Sequence, residues 1–248
     1  MQSSIDNFLA DTWWYGLTKR LSEAAFENLA HLRQKQGFTA VQLVAGIPPE
    51  IGPENENALS DTGPAWRLDG SINTDYLRLA REKISFLNRL GFTVIVYGAW
   101  GQQIRWLGIE RMKAWWKQIV RHLDDLNVIY CLTGEVNLWV GQESLLLPSR
   151  VSTDLQKSRF YRPFARNFLQ KASSKLFRER LFAERQRDWQ CILEHLSGLT
   201  QKPILVHPER ARTGYEAIGT PAHLAANTAQ TGHTEDSRNR IWQLPVSL

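Results

Sequence analysis

The chain has 248 residues, is 43% hydrophobic and 22% charged, and carries ten tryptophans and a formal net charge of +5. That length can bury a sizeable core in one domain, because α/β barrels run to about 250 residues, and no apolar run approaches the ~20 residues a membrane span needs. Eleven Lys/Arg against three Asp/Glu lie between Arg150 and Arg187, so the basic character belongs to one segment, which excludes a nucleic-acid-binding face spread over the whole domain.

The opening "MQSSIDNFLADTWW" has no basic stretch followed by an apolar core, so no secretory signal is expected. "NFLADTWW" (7–14) reads as a strand. "SEAAFENLAHLRQKQG" (22–37) reads as a helix capped by Ser22 and ended by Gly37. A second strand, "FTAVQLVAG" (38–46), is followed by a polar loop rich in Pro and Gly. A helix over 73–91, capped by Asn73 and closed by Gly91, leads to a third strand at 92–101. The helix over 108–126 leads to "NVIYCLTGE" (127–135), the fourth strand. After a long interruption, 185–199 is helical, "KPILVHPE" (202–209) is a fifth strand, and 223–233 is a weak sixth. Cys131 lies inside an apolar run and reads as a buried reduced thiol. Cys191 belongs to no metal or redox motif. A cytoplasmic location is the expectation.

Strand followed by helix, repeated, with β-branched strands, means a parallel sheet covered by helices. No G-x-G-x-x-G follows a strand, so a dinucleotide site has no support. A (β/α)-barrel has support of another kind, since barrels collect function at the C-terminal ends of their strands. Those ends carry Asp11, Trp13 and Trp14; Gln42; Trp100; Glu135; His207; and Gln230 and His233. The segment 136–184 breaks the rhythm. Its arginines alternate with aromatics, and it reads as a basic helical insertion in a single domain over 1–248, its aromatics on the barrel and its charges in water.

Each strand-end residue has two readings. Glu135 follows Gly134, which lets the carboxylate turn toward the mouth, but a strand-end glutamate also serves as a cap or an ion-pair partner. Asp11 could bind a sugar hydroxyl or hold the first turn. Trp13, Trp14 and Trp100 could stack on sugar rings or fill the core, and Trp115 and Trp116, inside a helix, read as core. Gln42 breaks an apolar strand and needs hydrogen-bond partners. His207 and His233 lack the H-x-H or H-E-x-x-H spacing of a metal site. No metal and no cofactor are expected. Glu209 and Glu216 could each pair with a neighbouring arginine.

In order, "FLADTWWYGLTKRLS", "GFTAVQLVAGIPPE", "INTDYLRLAREKISFLNRLGF", "YGAWG", "VIYCLTGE", "KPILVHP" and "QTGH" resemble the apiosidase-like family of glycoside hydrolases, over about 7–234 with 136–184 unmatched. The resemblance implies a (β/α)8 TIM barrel that cleaves a glycosidic bond of a plant-type or other complex glycan by a retaining, two-carboxylate route. It places the acid/base at the end of strand four, where Glu135 stands, although the family's turn there is often "GGD" and here is "TGE". Asp11, Trp100, His207 and His233 match substrate-facing positions. The nucleophile is implied in a stretch like "P-V-x-N-x-E" at strand seven, which this sequence does not contain. About six βα units are therefore expected, with the last two strands missing and sheet edges that a partner chain could complete. The expected partner is a carbohydrate substrate, with no nucleic acid and no membrane. The alternative is a catalytically inactive truncated barrel that at most binds carbohydrate.

Overall fold

The computed structural model describes residues 8–49, 51–136, 175–209 and 212–230. The strands are β1 (Ala10–Trp13), β2 (Ala40–Val44), β3 (Thr93–Tyr97), β4 (Val128–Cys131) and β5 (Ile204–Leu205). The helices are α1 (Glu23–Lys35), α2 (Thr74–Arg89), α3 (Ile104–Leu107), α4 (Ile109–Leu123), α5 (Lys175–Ser197) and α6 (Gly214–Ile218). The strands follow chain order in one sheet, β1-β2-β3-β4-β5, and the β1–β2 and β2–β3 pairings are parallel. Helices connect successive strands, as an α/β chain of the (β/α)8 type requires, with five strands among the described residues.

The chain forms two compact units, Met1–Gly98 with Trp115–Tyr130, and Ala99–Ala114 with Cys131–Leu248. In the first, Ser22 caps α1 through the Ala25 N–H, and Asn73 caps α2 through the Asp75 and Tyr76 N–H groups. These caps satisfy donors that a helix start leaves without intrahelical partners. On α2 the apolar positions Leu77, Ala80, Ile84 and Leu87 recur at helical spacing and are buried, so one stripe of the helix goes to the core. Strand β2 is buried on both faces except at Gln42. Trp115 and Trp116 of α4 are fully buried, as expected for core residues. In the second unit, α5 buries Trp189, Ile192, Leu193 and Leu196 at the same kind of spacing.

Three expectations change. Helix α5 begins at Lys175 and not near 185, so the described end of the basic insertion continues into the next helix. Strand β5 is only two residues long. The weak sixth strand is not a strand over 223–230: His223 takes φ 66 in a turn and only Ala229 forms a bridge, to Thr213. Its polar residues supply no apolar alternation to hold a ladder. His233 and residues 137–174 of the insertion lie outside the described residues. Among the described residues, no helix is long and apolar enough to cross a membrane.

Candidate functional site

Glu135 lies just past β4 with φ 43, left-handed backbone that non-glycine residues rarely adopt. The turn before it explains how that conformation is held. Gly134 bridges in parallel to Trp100. Its N–H donates to the Ala99 carbonyl at 3.0 Å, and its carbonyl accepts from the Gly101 N–H at 2.8 Å. A side chain at Gly134 would overlap the Trp100 ring, and one at Gly101 would meet the Glu135 carbonyl oxygen at 2.5 Å. Both glycines are there because the two turns run in contact.

The Glu135 carboxylate accepts from two different groups. The Trp100 indole Nε1 donates to Oε2 at 3.0 Å. The Gln230 amide Nε2 donates to Oε1 at 3.4 Å. Beside them stands His207, whose backbone N–H donates to the Thr133 carbonyl at 3.0 Å. Its ring meets the Trp100 ring edge-on, with centroids 6.2 Å apart. Burial pushes the His207 imidazole below its ordinary value of 6.5, and the Glu135 charge opposes this, so the ring is neutral at pH 7. Four residues far apart in the sequence thus form one cluster: an acid, an indole, an amide and a neutral imidazole.

Two groups behind the cluster fix its backbone. Arg185, 2% exposed, donates to the Val136 carbonyl at 3.4 Å. Burial, and then the Arg105 charge, lower its guanidinium to about 9, against the pull of Asp188 and Glu209; it stays charged at neutral pH. Trp189, one turn further along α5, donates to the Gly101 carbonyl at 3.1 Å. Neither was singled out from the sequence. The i, i+4 spacing of Arg185 and Trp189 puts them on one face, and an arginine sharing a face with a core tryptophan was the available signal.

The other expected residues sit in the first unit. Thr12, Gln42 and Ile95 are register partners and share one sheet face, with Tyr97 two residues beyond Ile95. Gln42 Oε1 accepts from the Tyr97 hydroxyl at 2.8 Å, and Trp14 meets the Tyr97 ring edge-on at 4.8 Å. Asp11 and Trp13 alternate onto the opposite face, toward α1. Asp11 accepts from the Arg33 guanidinium of α1, from the Trp13 indole at 2.7 Å and from the Thr12 N–H at 2.9 Å. Trp13 is buried against Phe26 of α1. Of the two readings for this pair, the structural one matches these contacts: they join strand to helix. Tyr97 was not foreseen, although it stands two places from Ile95 on the Gln42 face.

The alternative carboxylates are engaged. Glu216 forms a capping box with Thr213 at the start of α6, Asp11 holds Arg33, and Glu209 pulls electrostatically on Arg185. No group of three or more His, Cys, Asp or Glu that could hold a metal ion occurs among the described residues.

The family model "Apiosidase-like, catalytic domain" matches residues 7–246. No curated protein matches. GH5_18 from Streptomyces cattleya, solved in complex with Manb1-4GlcNAc, is similar with a TM-score of 0.50 and 13% identity, over 85% of this chain and 46% of its own. A candidate glycoside hydrolase from Bacteroides vulgatus ATCC 8482 also matches with a TM-score of 0.50 and 13% identity, over 87% of this chain and 37% of its own. The chain thus spans less than half the length of either structure, and at these identities the likeness is one of fold.

Proposed function

Because the chain belongs to the apiosidase-like catalytic-domain family, we propose that its site is built for glycosidic bond cleavage, with Glu135 as the proton donor. The observation that carries this is the Glu135 carboxylate at the end of β4, held between Trp100 and Gln230 beside a neutral His207. A proton donor at that place would protonate the leaving oxygen while a second carboxylate attacks the anomeric carbon. Retention requires the two carboxyl groups about 5–5.5 Å apart, and inversion about 6.5–9.5 Å. Asp11 and Glu216 are held by other partners and Glu209 acts on Arg185, and this reading takes its nucleophile from outside the described residues, in this chain or in a partner that completes the sheet. The substrate class is a complex glycan, and Trp100, His207 and Gln230, grouped about Glu135, are its proposed contacts. In the first unit by itself, the half-buried Trp14 and Gln42 are further proposed sugar contacts. His233 keeps its proposed substrate role.

The test is turnover of aryl glycosides and pectic fragments by the full chain and by Glu135→Gln. General acid catalysis contributes about 10²–10⁴-fold, so a loss of that size supports the assignment, and turnover that survives the substitution overturns it. The engagement of all three alternative carboxylates favours a second reading, a barrel that binds carbohydrate without cleaving it. That reading expects no turnover and a saturable tryptophan fluorescence response to oligosaccharides.

A further inference from the structure

The two hydrogen bonds to Glu135 differ in kind. The Trp100 indole is a donor only, whereas a primary amide carries both a donor and an acceptor. Oε2 faces the indole at 3.0 Å. A proton on Oε2 would take up one of its lone pairs, crowd the indole hydrogen and weaken that bond. Oε1 faces the Gln230 amide. The Gln230 Oε1 is buried and has no hydrogen-bond partner among the described residues, which is costly for a buried acceptor. Rotation of the amide by half a turn would exchange its nitrogen for this oxygen and give the acceptor a donor whenever Glu135 carries a proton.

We infer that the proton of Glu135 resides on Oε1, and that Gln230 is the positioning residue that holds it there by rotating its amide. This rests on the proton-donor reading of Glu135 and deepens it by fixing which oxygen delivers the proton. With Glu135 ionised, the Gln230 N–H donates to Oε1, as in the structure. With Glu135 protonated, Oε1–H donates to the Gln230 oxygen and the indole bond to Oε2 is unchanged. Indole and amide thereby divide the carboxylate into a fixed oxygen and a working one. His207 is neutral, and its ring feels the Glu135 charge. Arg185, flanked by Arg105, Asp188 and Glu209, bonds the backbone carbonyl of Val136.

The test is a pH titration of the full ¹⁵N-labelled chain by NMR, following the Gln230 side-chain amide and the Trp100 indole N–H. The amide resonances are expected to shift through a transition that disappears in Glu135→Gln, while the indole resonance keeps its hydrogen-bonded position. An indole resonance that loses its hydrogen bond in that transition, or an amide that does not move, would overturn the inference. A second variant keeps it testable if Glu135→Gln does not fold. Trp100→Phe releases Oε2, the proton is then shared between two oxygens, and the Gln230 shift should shrink about twofold; an unchanged shift counts against the inference. The two levels separate cleanly. Absence of turnover on every glycoside, with both resonances behaving as expected, overturns the hydrolase reading and supports this one. Turnover with an unmoved Gln230 amide overturns this one alone.

Discussion

Gly134 and Glu135 show how a two-residue turn can place an acid. The glycine is required because the Trp100 ring occupies the space of a side chain there, and that same ring then donates to the carboxylate. Gly134→Ala should therefore displace the ring and cost about 1–3 kcal/mol, the usual range for overpacking, read as a lower urea midpoint. It should also loosen the Trp100–Glu135 bond, so any turnover falls with it. His207 supplies a pH test. Its native pKa lies below the ordinary 6.5, so the unfolded chain binds the proton more readily. Stability is complete above about pH 6.5 and falls as the pH drops through the depressed native value. His207→Asn should remove that part of the acid loss, as seen in denaturation midpoints across pH 5–8. At this scale the sequence showed the acid and its glycine, because both follow an apolar run. It did not show which way Asp11 and Trp13 point, since the partners that decide this, Arg33 and Phe26, lie on the following helix.

Among the elements, helices repeatedly pin the turns that follow strands. The Tyr76 hydroxyl of α2 accepts from the Gly46 N–H at 3.0 Å, just past β2. The Trp115 indole of α4 donates to the Gly98 carbonyl at 2.7 Å, just past β3. In the second unit, Trp189 and Arg185 of α5 hold the Gly101 and Val136 carbonyls. Each buried aromatic thus has a polar end that satisfies turn backbone which would otherwise be buried and unpaired. Tyr76→Phe should cost about 1–3 kcal/mol by leaving that backbone without its partner. The corresponding drop in Tm is about 2–4 °C per kcal/mol for a domain of this size. The Asp11–Arg33 pair joins β1 to α1 in the same spirit, nearer to solvent. Burial raises the Asp11 carboxyl, but the hydrogen bonds from Arg33, Trp13 and Thr12 and the Arg33 charge outweigh it and hold it below 3.8. Its stabilisation is present above about pH 3.8 and lost as the pH falls through the lowered value. Asp11→Asn should cost about 1 kcal/mol near neutrality, because solvent screens part of the pair, and the difference from the unmodified chain should vanish in acid. Helices α1, α2 and α4 were legible from caps and apolar stripes. Helix α5 was read too short, because its first turns lie in a charged run where periodicity is weak.

At the level of the whole molecule, alternating strands and helices gave the α/β class, and the ordered motifs gave the family that the match over 7–246 shows. The strand count was harder to read. A short polar stretch near Gln230 does contribute to the site, but through a side-chain bond to Glu135 and not through a ladder. Such a role carries no period for a sequence to display. The proposed role of Glu135 is to protonate a leaving oxygen. The most direct measurement is the rate of hydrolysis of a series of aryl glycosides of increasingly poor leaving group, by the full chain and by Glu135→Gln. A proton donor matters most when the leaving oxygen is most basic. If Glu135 is that donor, the loss grows along the series and reaches about 10²–10⁴-fold for the poorest leaving groups. A loss of equal size for every leaving group, or none at all, would contradict it.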